Sequence, residues 1–409
     1  MSVSTGTGQR NATPPSTLAR VRHLDPNVRS LGLVSFFADF SSEIVYPLFP
    51  LFVTTVLGAP AAALGVIEGI AEATASITKY PFGQWSDFTG RRRVFAAGGY
   101  GLASIGKVLL ALAFTWPLAL FGRFVDRLGK GMRSAPRDAL IAASTRPEER
   151  GLAFGLHRAL DTLGAVAGPL IALLLIKLQI PLRWIFATAV VPGVISVGVL
   201  LWSVRERRAQ PARGVPRPRL PRSPAFRWLL VSALVFGVGN SSDMFLLLKA
   251  QHLGIGAAGV LLLYVLYNVA YSAFSLPAGS LSDRLGQLPL VFAGYLVFAI
   301  VYTGFAAADS WLPLLALFAS YGIAIAATEG TSKALISRAI PAAEHGSGLG
   351  LYYTASGLAS LAANSLGGAL WSAVGPWATF VYGAACAALA ALVLLAAQRR
   401  LGTSGGLAD

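Results

Sequence analysis

The sequence has little charge and almost no cysteine. Charged residues make up 12% of the 409 residues, whereas hydrophobic residues make up 55%. A soluble domain carries about 25% charged residues, so this deficit excludes an ordinary water-soluble protein. The single Cys386 excludes an intrachain disulfide, and four scattered histidines with three methionines form no metal-binding pattern. The sequence has no Walker loop or nucleotide signature, which argues against ATP-driven chemistry and a bound cofactor.

The sequence contains many long apolar segments. Runs of about 20 residues recur along the whole chain, which is the length that a helix needs to cross a bilayer core. They predict an all-α integral membrane protein with twelve transmembrane helices. The predicted spans are residues 30–56, 60–82, 94–114, 116–143, 150–175, 182–203, 226–249, 256–278, 288–307, 311–336, 346–370 and 374–397.

An internal repeat divides the chain into two similar halves. The stretch Gly83–Arg93 has a weaker copy at Gly279–Gly286, at an offset of 196 residues, and Ser41–Glu43 has a copy at Ser241–Asp243. One unit used twice in the same order is how many secondary transporters are built. The predicted divisions are a polar tail (1–29), a six-helix half (30–203), an Arg- and Pro-rich linker (204–225), a second six-helix half (226–398) and a short tail (399–409).

The net charge of +15 is concentrated in alternate loops. Arginines cluster before the first span, at 91–93, along the linker and at 399–400, while the other loops hold few basic residues. This asymmetry follows the positive-inside rule and predicts an inner (cytoplasmic) membrane protein with both termini in the cytoplasm. It also argues against nucleic acid as a partner. The first 29 residues lack an apolar core and therefore do not form a signal peptide.

The loop between the second and third spans carries a family signature. With twelve spans in two parallel halves and a long central loop, the chain resembles the major facilitator superfamily over nearly its whole length. The matching residues are Gly83, Asp87, Gly90, Arg91 and Arg92, with Asp283 in the second copy. Phe88 stands where the family usually has a basic residue. The resemblance implies that this loop latches one side of the transporter between conformations, and that the protein is a monomer.

A second motif lies in the fifth span. Gly164, Gly168 and Pro169 resemble the family's antiporter motif, which is associated with exporters. Two small residues four apart allow close helix contact, and the proline bends the helix there. The resemblance therefore implies export by exchange.

Ionisable residues within the spans are expensive and usually face a cavity or a partner. Asp39 and Glu43 lie on one face of the first span, and Glu68 and Glu72 repeat that spacing in the second. Charges in the fourth span fall on an arc of about 140°; they are Arg123, Asp126, Arg127, Lys130, Arg133, Arg137 and Asp138. Arg123 occupies the position of a family arginine linked to proton coupling, although Asp126 and Arg127 replace the usual Gln and Gly.

Carboxyl groups in such a setting can carry protons. Burial disfavours a charged carboxylate, whereas a neighbouring arginine favours it, so a group that alternates between the two environments binds and releases protons. The predicted proton-coupling residues are Asp39, Glu43, Arg123 and Asp161.

The predicted substrate site combines basic and aromatic side chains. Arginine suits carboxylate or phosphate recognition, and a positive cavity of low dielectric attracts anions. The predicted substrate-binding residues are Tyr46, Arg133, Arg137, His157, Arg158, Glu329, Lys333, Tyr352 and Tyr353. If the acids of the first, second and tenth spans cancel the basic surplus, a lipophilic drug-like substrate becomes the alternative.

These features predict a secondary active transporter that works by alternating access and is not an enzyme. We expect proton-coupled export (antiport) of a small organic solute, taken to be anionic, with protons and the lipid bilayer as partners and no cofactor or metal. The alternatives are a proton-coupled importer (symporter) of an anion, an exporter of lipophilic drugs and, ranked below these, a non-transporting receptor.

Overall fold

A computed structural model describes residues 24–146, 149–207, 223–340 and 345–402. Helices are the regular elements of these residues, and they form twelve rods in chain order. The rods are α1 (Pro26–Val56), α2 (Ala61–Thr89), α3 (Arg92–Ala111), α4 (Trp116–Ala143), α5 (Arg150–Lys177), α6 (Leu182–Ser203), α7 (Pro224–His252), α8 (Ala257–Leu285), α9 (Gln287–Ala307), α10 (Trp311–Arg338), α11 (His345–Ala373) and α12 (Pro376–Gly402).

Ten of the rods are long and apolar enough to cross a membrane by length and composition, counting the described residues. The two that miss the criterion are α4 and α11. The many charges of α4 lower its apolar content, and Ser, Gly, Tyr and Asn do the same in α11. Both still run the length of the bundle beside apolar neighbours. The prediction of an all-α membrane protein with twelve helices is confirmed.

Three rods lose regular helix along their length: α6 at Ala189, and α1 and α7 where they border the central cavity. In α1 the regular helix ends at Val45, and a tighter turn begins at Tyr46. Pro47 and Pro50 cause this, because proline lacks an N–H donor and clashes with the preceding turn. In α7 the helix stops after Gly239 and resumes at Met244.

The two halves share one packing scheme. In the first half, α1 packs on α5 and α6, α2 packs on α4, and α3 packs on α4 and α6. In the second half the same contacts recur with every number raised by six. The most extensive contacts between the halves, α2 with α11 and α5 with α8, are exchanged by the same shift. The parallel repeat predicted from the sequence is therefore present in three dimensions.

Small residues bring α2 and α11 together. A Cβ added at Gly65 would overlap the Asn364 carbonyl oxygen, and one at Gly69 would lie 3.0 Å from the Leu361 carbonyl oxygen. One at Gly357 would lie 2.9 Å from the Ser76 Cβ. These glycines let the two backbones approach in lipid, where close van der Waals packing drives helix association.

The two ends of the bundle differ in how the halves meet. We call the side that holds Leu24, Arg207 and Gln398 the tail side, and the opposite side the distal side. At the distal side one apolar cluster contains residues of both halves, including Phe52, Leu64, Ile185, Phe245 and Leu248. At the tail side each half has its own cluster, one around Tyr100 and Leu140 and one around Tyr295 and Ile336. The distal side is sealed by a shared core, and the tail side is not.

The first residues of the linker are held against the first half. The Asn27 side chain donates to the Arg205 carbonyl oxygen at 3.0 Å and accepts from the Arg205 N–H at 2.8 Å. Glu206 Oε2 accepts from the Arg93 N–H at 2.8 Å, which satisfies a free donor at the start of α3. The described chain of this half thus continues to residue 207, and the remaining predicted linker residues 208–222 lie outside the described residues.

Candidate functional site

The bundle contains two adjoining chambers near its middle. The basic chamber, of about 180 Å³, is lined mainly by the first half, including Asp39, Glu43, Arg127, Lys130 and Arg133. The aromatic chamber, of about 420 Å³, lies against the second half and is lined by five tyrosines and many Ser, Thr and Asn side chains. Tyr46, Glu72 and Asp243 line both chambers.

Ion pairs hold one wall of the basic chamber together. Arg123 of α4 donates to both carboxylate oxygens of Glu68 in α2, at 2.7 and 3.2 Å, and Glu68 is fully buried. Arg127 lies 3.4 Å from Glu72. Two parallel donor bonds to one carboxylate are among the strongest pairs that proteins form. These pairs neutralise the arginines of α4 that lie nearest the distal side.

A further pair links α4 to α3. Lys107 Nζ lies 3.4 Å from Asp126 Oδ1, and both side chains are buried. Glycines permit this contact, because a Cβ added at Gly106 would lie 2.6 Å from the Asp126 N–H nitrogen and one at Gly99 would lie 2.7 Å from the Arg133 Cβ. Acids of α2 therefore match Arg123 and Arg127 of α4, whereas Asp126 of α4 lies beside Lys107 of α3.

Two cations of the chamber lack such a match. Within the described part of the chain, Lys130 and Arg133 have no carboxylate oxygen within 4 Å. Arg133 is buried and stacks on the Tyr100 ring, with 4.5 Å between the guanidinium carbon and the ring centroid. These two side chains are therefore positive groups of the chamber wall without a carboxylate partner among the described residues.

Two carboxyl groups of α1 also line this chamber without an ion pair among the described residues. The Tyr264 hydroxyl of α8 donates to Glu43 Oε2 at 2.7 Å. Asp39 faces Asp161 of α5, and Asp161 is 3.3 Å from Arg158. The chamber therefore sets two carboxyl groups and two cations around one space, with no pair formed between them.

The Gly164–Pro169 motif is the contact that places these carboxyl groups. A Cβ at Gly164 would overlap the Phe36 carbonyl oxygen and lie 3.2 Å from the Asp39 Cβ. A Cβ at Gly168 would lie 2.7 Å from the Glu43 Cβ and 2.9 Å from the Glu43 carbonyl carbon. The two small residues thus seat α5 directly on the α1 face that carries both acids.

The aromatic chamber centres on Asp243 in the break of α7. The Tyr321 hydroxyl donates to Asp243 Oδ1 at 2.6 Å, and Tyr267 faces the same carboxyl group. The break itself is stabilised by Asn364, whose side-chain oxygen accepts from the Ser242 N–H at 2.7 Å. The helix break leaves that N–H without a backbone acceptor, and the Asn364 side chain of α11 supplies the acceptor.

Besides the Glu43–Tyr264 bond, two further side-chain contacts near the chambers cross between the halves. The Tyr46 hydroxyl lies 3.3 Å from the Ser242 hydroxyl. Nearer the tail side, Arg158 donates to the Tyr271 hydroxyl at 3.2 Å, and that hydroxyl donates to Glu329 Oε2 at 3.1 Å. The second contact connects α5 to α8 and α10 across the cavity.

The structure brings only part of the predicted site together. Asp39, Glu43, Tyr46, Arg123, Arg133, Glu329 and Tyr352 line the two chambers. Arg158 and Asp161 border them through the contacts above. The Lys333 side chain lies outside the described residues.

Three predicted substrate residues have partners elsewhere. Arg137 donates to the neighbouring Asp138 at 2.9 Å. His157 is buried with its Nε2 2.6 Å from the Ser35 hydroxyl, and Tyr353 packs under Lys79 at 4.9 Å from the ring centroid. None of the three is among the residues described as lining either chamber.

The tyrosines opposite α1 were not predicted from the sequence. Tyr264, Tyr267 and Tyr271 lie three and four residues apart and share one face of α8, a spacing that places side chains together. Asp243 occupies the position in the repeat that corresponds to Glu43. The tyrosine spacing and this correspondence are both present in the sequence, but neither specifies which helix packs against these residues.

The predicted latch loop lies between α2 and α3 at the tail side. Gly90 ends α2 in the left-handed conformation, with a φ of 65° that favours glycine. Asp87 Oδ1 accepts from Arg92 at 2.6 Å and 2.9 Å. A Cβ at Gly83 would lie 3.0 Å from the Ala135 Cβ of α4. The side chain of Asp283, the second-half counterpart, lies outside the described residues.

Comparisons with known proteins cover nearly the whole chain. The family model described as Major Facilitator Superfamily matches residues 31–249 and 243–406. An uncharacterised MFS-type transporter of Methanocaldococcus jannaschii is 37% identical, over 91% of this chain and 95% of its own length. The class D tetracycline resistance protein of Salmonella ordonez is 25% identical, over 78% of this chain and 83% of its own length.

Solved structures with little sequence identity share the fold. The nucleoside transporter NupG superposes with a TM-score of 0.75 at 12% identity and covers 91% of this chain and 100% of its own. The human organic anion transporter MFSD10 superposes with a TM-score of 0.66 at 16% identity and covers 90% of this chain and 99% of its own.

Proposed function

The chain belongs to the major facilitator superfamily of membrane transporters, and we propose that it couples protons to the movement of a small organic anion. The observation that carries this proposal is the content of the basic chamber. Lys130 and Arg133 lack a carboxylate partner among the described residues, and Asp39 and Glu43 lack a cationic partner.

The charge balance of the chamber depends on protonation. The pairs Glu68–Arg123, Glu72–Arg127 and Asp126–Lys107 are each neutral when ionised. Among the other charges of the chamber lining, Asp39, Glu43 and Asp243 stand against Lys130 and Arg133, a net charge of −1 when all are ionised. When Asp39 and Glu43 are protonated, Lys130 and Arg133 outnumber Asp243, and one net positive charge remains for a ligand to neutralise.

This arrangement couples the two binding events. A bound anion would repel the ionised carboxylates across a cavity of low dielectric, so it favours their protonation. Because coupling between binding sites is reciprocal, protonation strengthens anion binding by the same factor. Protons and the anion therefore bind together, which supports symport over the exchange expected from the sequence.

The fold supplies the access that such a cycle needs. The shared apolar core at the distal side, which has no counterpart between the halves at the tail side among the described residues, supports access to the chambers from the tail side. Rocking of the halves along the α2–α11 and α5–α8 contacts would reverse this access. Breaking the Glu43–Tyr264 and Tyr46–Ser242 contacts would be part of that step, because each joins the two halves.

Proton-exchanging export is the second candidate. The Gly164–Pro169 contact, which seats α5 on the α1 acids, favours it, since exporters of the family carry this motif. In an exchange cycle a cationic or lipophilic substrate would displace protons from Asp39 and Glu43. The similarity to a tetracycline resistance protein is compatible with such a substrate.

The orientation in the membrane follows from charge. Arg91, Arg93, Arg205 and Arg207 lie at the tail side, so the positive-inside rule supports a cytoplasmic tail side in an inner membrane. A monomer suffices for this account, because both chambers are built from one chain.

Flux in proteoliposomes tests the proposal. Purified protein would be reconstituted with an internal pH dye, and carboxylates and phosphate monoesters would be added outside under an imposed pH gradient. We expect an anion to enter together with protons in the parent protein. Asp39→Asn and Glu43→Gln should lose gradient-driven uptake by about tenfold or more but retain anion exchange.

Asp309→Asn is the matched control, because Asp309 is exposed in the turn between α9 and α10. Anion movement against proton movement would favour export. Undiminished gradient-driven uptake in both α1 variants would remove these carboxyl groups from the mechanism.

A further inference from the structure

The aromatic chamber has the opposite charge character from its neighbour. Its described lining contains the carboxylates Glu72, Asp243 and Glu329 and no lysine or arginine. Glu72 is paired with Arg127, and Glu329 accepts from Tyr271. Asp243 and Glu329 both accept from tyrosine hydroxyls, and Asp243 is the one of these two that also lines the basic chamber.

Aromatic rings surround that carboxyl group. Tyr267 and Tyr321 have their ring centroids 5.3 Å apart and both face Asp243. Tyr46, Tyr295 and Tyr352 complete the tyrosine walls of a space of about 420 Å³. Ring faces attract ammonium groups, by about 2 kcal/mol or more when the contact is desolvated. A carboxylate within such rings is the chemistry that recognises an amine.

The two chambers share part of their lining. Tyr46, Glu72 and Asp243 belong to both linings, so a single molecule extending past Tyr46 reaches both. At one end it would meet Lys130 and Arg133, and at the other Asp243 and the tyrosines. The surrounding Ser and Asn side chains leave room for polar groups between the ends.

We propose that the substrate is zwitterionic, with an acidic group held by Lys130 and Arg133 and an ammonium group held by Asp243, Tyr267 and Tyr321. This inference rests on the proposed function for its anionic end and adds the cationic end. Two charges of opposite sign at the two ends would also fix the direction in which the molecule lies across the halves.

Matched probes separate the two ends. Each zwitterion would be compared with the acid and the amine of the same carbon skeleton: γ-aminobutyrate with butyrate and butylamine, ε-aminohexanoate with hexanoate and hexylamine, and phenylalanine with phenylpropanoate and phenethylamine. Binding to the purified full chain would be measured by thermal shift and tryptophan fluorescence. We expect at least one zwitterion to bind about tenfold or more tighter than both of its partners, the size of one charged contact.

Variants assign each end of the probe. Asp243→Asn should remove the advantage of the zwitterion over the acid, and Lys130→Gln should remove its advantage over the amine. Tyr267→Leu, which removes a ring and leaves both charges, should weaken the zwitterion and the amine but spare the acid. Asp309→Asn and Lys177→Gln, both at exposed positions, are the controls and should change no affinity.

The outcomes distinguish this inference from the proposal beneath it. Acids that bind as tightly as zwitterions, with no effect of Asp243→Asn, would overturn the inference and leave an anion carrier. Amines that bind as tightly as zwitterions, with no effect of Lys130→Gln, would support the cationic site and overturn the anionic one. Failure of every zwitterion to bind at millimolar concentration would overturn the inference. So would an Asp243→Asn variant that alters proton uptake but not ligand preference.

Discussion

Glu43 and Tyr264 join the two halves of the protein through one hydrogen bond. The hydroxyl of Tyr264 in α8 donates to Glu43 Oε2 in α1 at 2.7 Å, next to the point where Gly168 presses α5 onto α1. The bond ties a predicted proton carrier of the first half to a helix of the second. An ionised carboxylate accepts this bond strongly, so the charge state of Glu43 and the closure of the distal side are linked.

Tyr264→Phe removes that bond and keeps the ring. A hydrogen bond to a charged group is worth about 1.5–3 kcal/mol. The ratio of the closed to the open distal state should therefore fall by about tenfold or more. Spin labels at Leu178→Cys and Ser310→Cys, on distal turns of opposite halves, would report the distance in a Cys386→Ala background. We expect a longer distal distance. Tyr382→Phe, outside the cavity, should leave the distance unchanged, and an unaltered distance in Tyr264→Phe would contradict the link.

The buried pair of Glu68 and Arg123 predicts an asymmetric response to substitution. Glu68→Gln removes the bidentate partner of a buried guanidinium and leaves it, among the described carboxylates, only Asp126 at 3.6 Å, which should cost about 3 kcal/mol. Replacing both residues by methionine should recover much of that loss, because a hydrophobic pair avoids the desolvation cost. Thermal unfolding in detergent, followed by tryptophan fluorescence, is the measurement. A Glu68→Gln variant as stable as the parent would show that the pair does not hold α2 to α4.

The glycines of α5 offer a comparison within one helix. A Cβ at Gly168 would lie 2.7 Å from the Glu43 Cβ, whereas a Cβ at Gly155 would meet nothing within 4 Å. Gly168→Val should therefore push α5 away from α1 and abolish transport, and Gly155→Val should leave uptake near the parent level. Equal uptake in the two variants, at equal protein yield, would refute the role of this contact.

The latch loop should act on rate more than on stability. The Asp87–Arg92 pair is half exposed, and exposed pairs contribute about 0–1 kcal/mol. Asp87→Asn should thus leave the unfolding temperature nearly unchanged while slowing uptake. Asp138→Asn is a close control, because Asp138 is similarly exposed and pairs with Arg137 at the same side. If both variants transport at the parent rate, the pair is not a latch.

Much of the fold was predictable because a helix and a repeat are both periodic. The length of apolar runs gave the twelve helices, and a fixed helical angle placed Asp39 with Glu43 and aligned the charges of α4. The breaks were harder. Pro47 and Pro50 indicate the helix break in α1. The break in α7 depends on Asn364, which is 122 residues from the Ser242 N–H that donates to it.

The partners of the charged residues could not be predicted either, because they too are distant in the sequence. Whether a cation of α4 is free or paired depends on which helix packs against it. Glu68 reaches Arg123 across 55 residues, whereas Lys130 on the same helix receives no carboxylate among the described residues. His157 likewise bonds to Ser35 of α1 because of how α5 sits, which its place beside Arg158 in the sequence did not indicate.

Proton exchange on ligand binding is the most direct test of the account. The purified protein would be mixed with its tightest-binding probe acid or zwitterion in weakly buffered solution, and the pH followed. The account predicts that protons are taken up as the ligand binds. It also predicts that Asp39→Asn combined with Glu43→Gln abolishes the uptake while binding persists. Proton release on binding, or uptake that survives in the double variant, would contradict it.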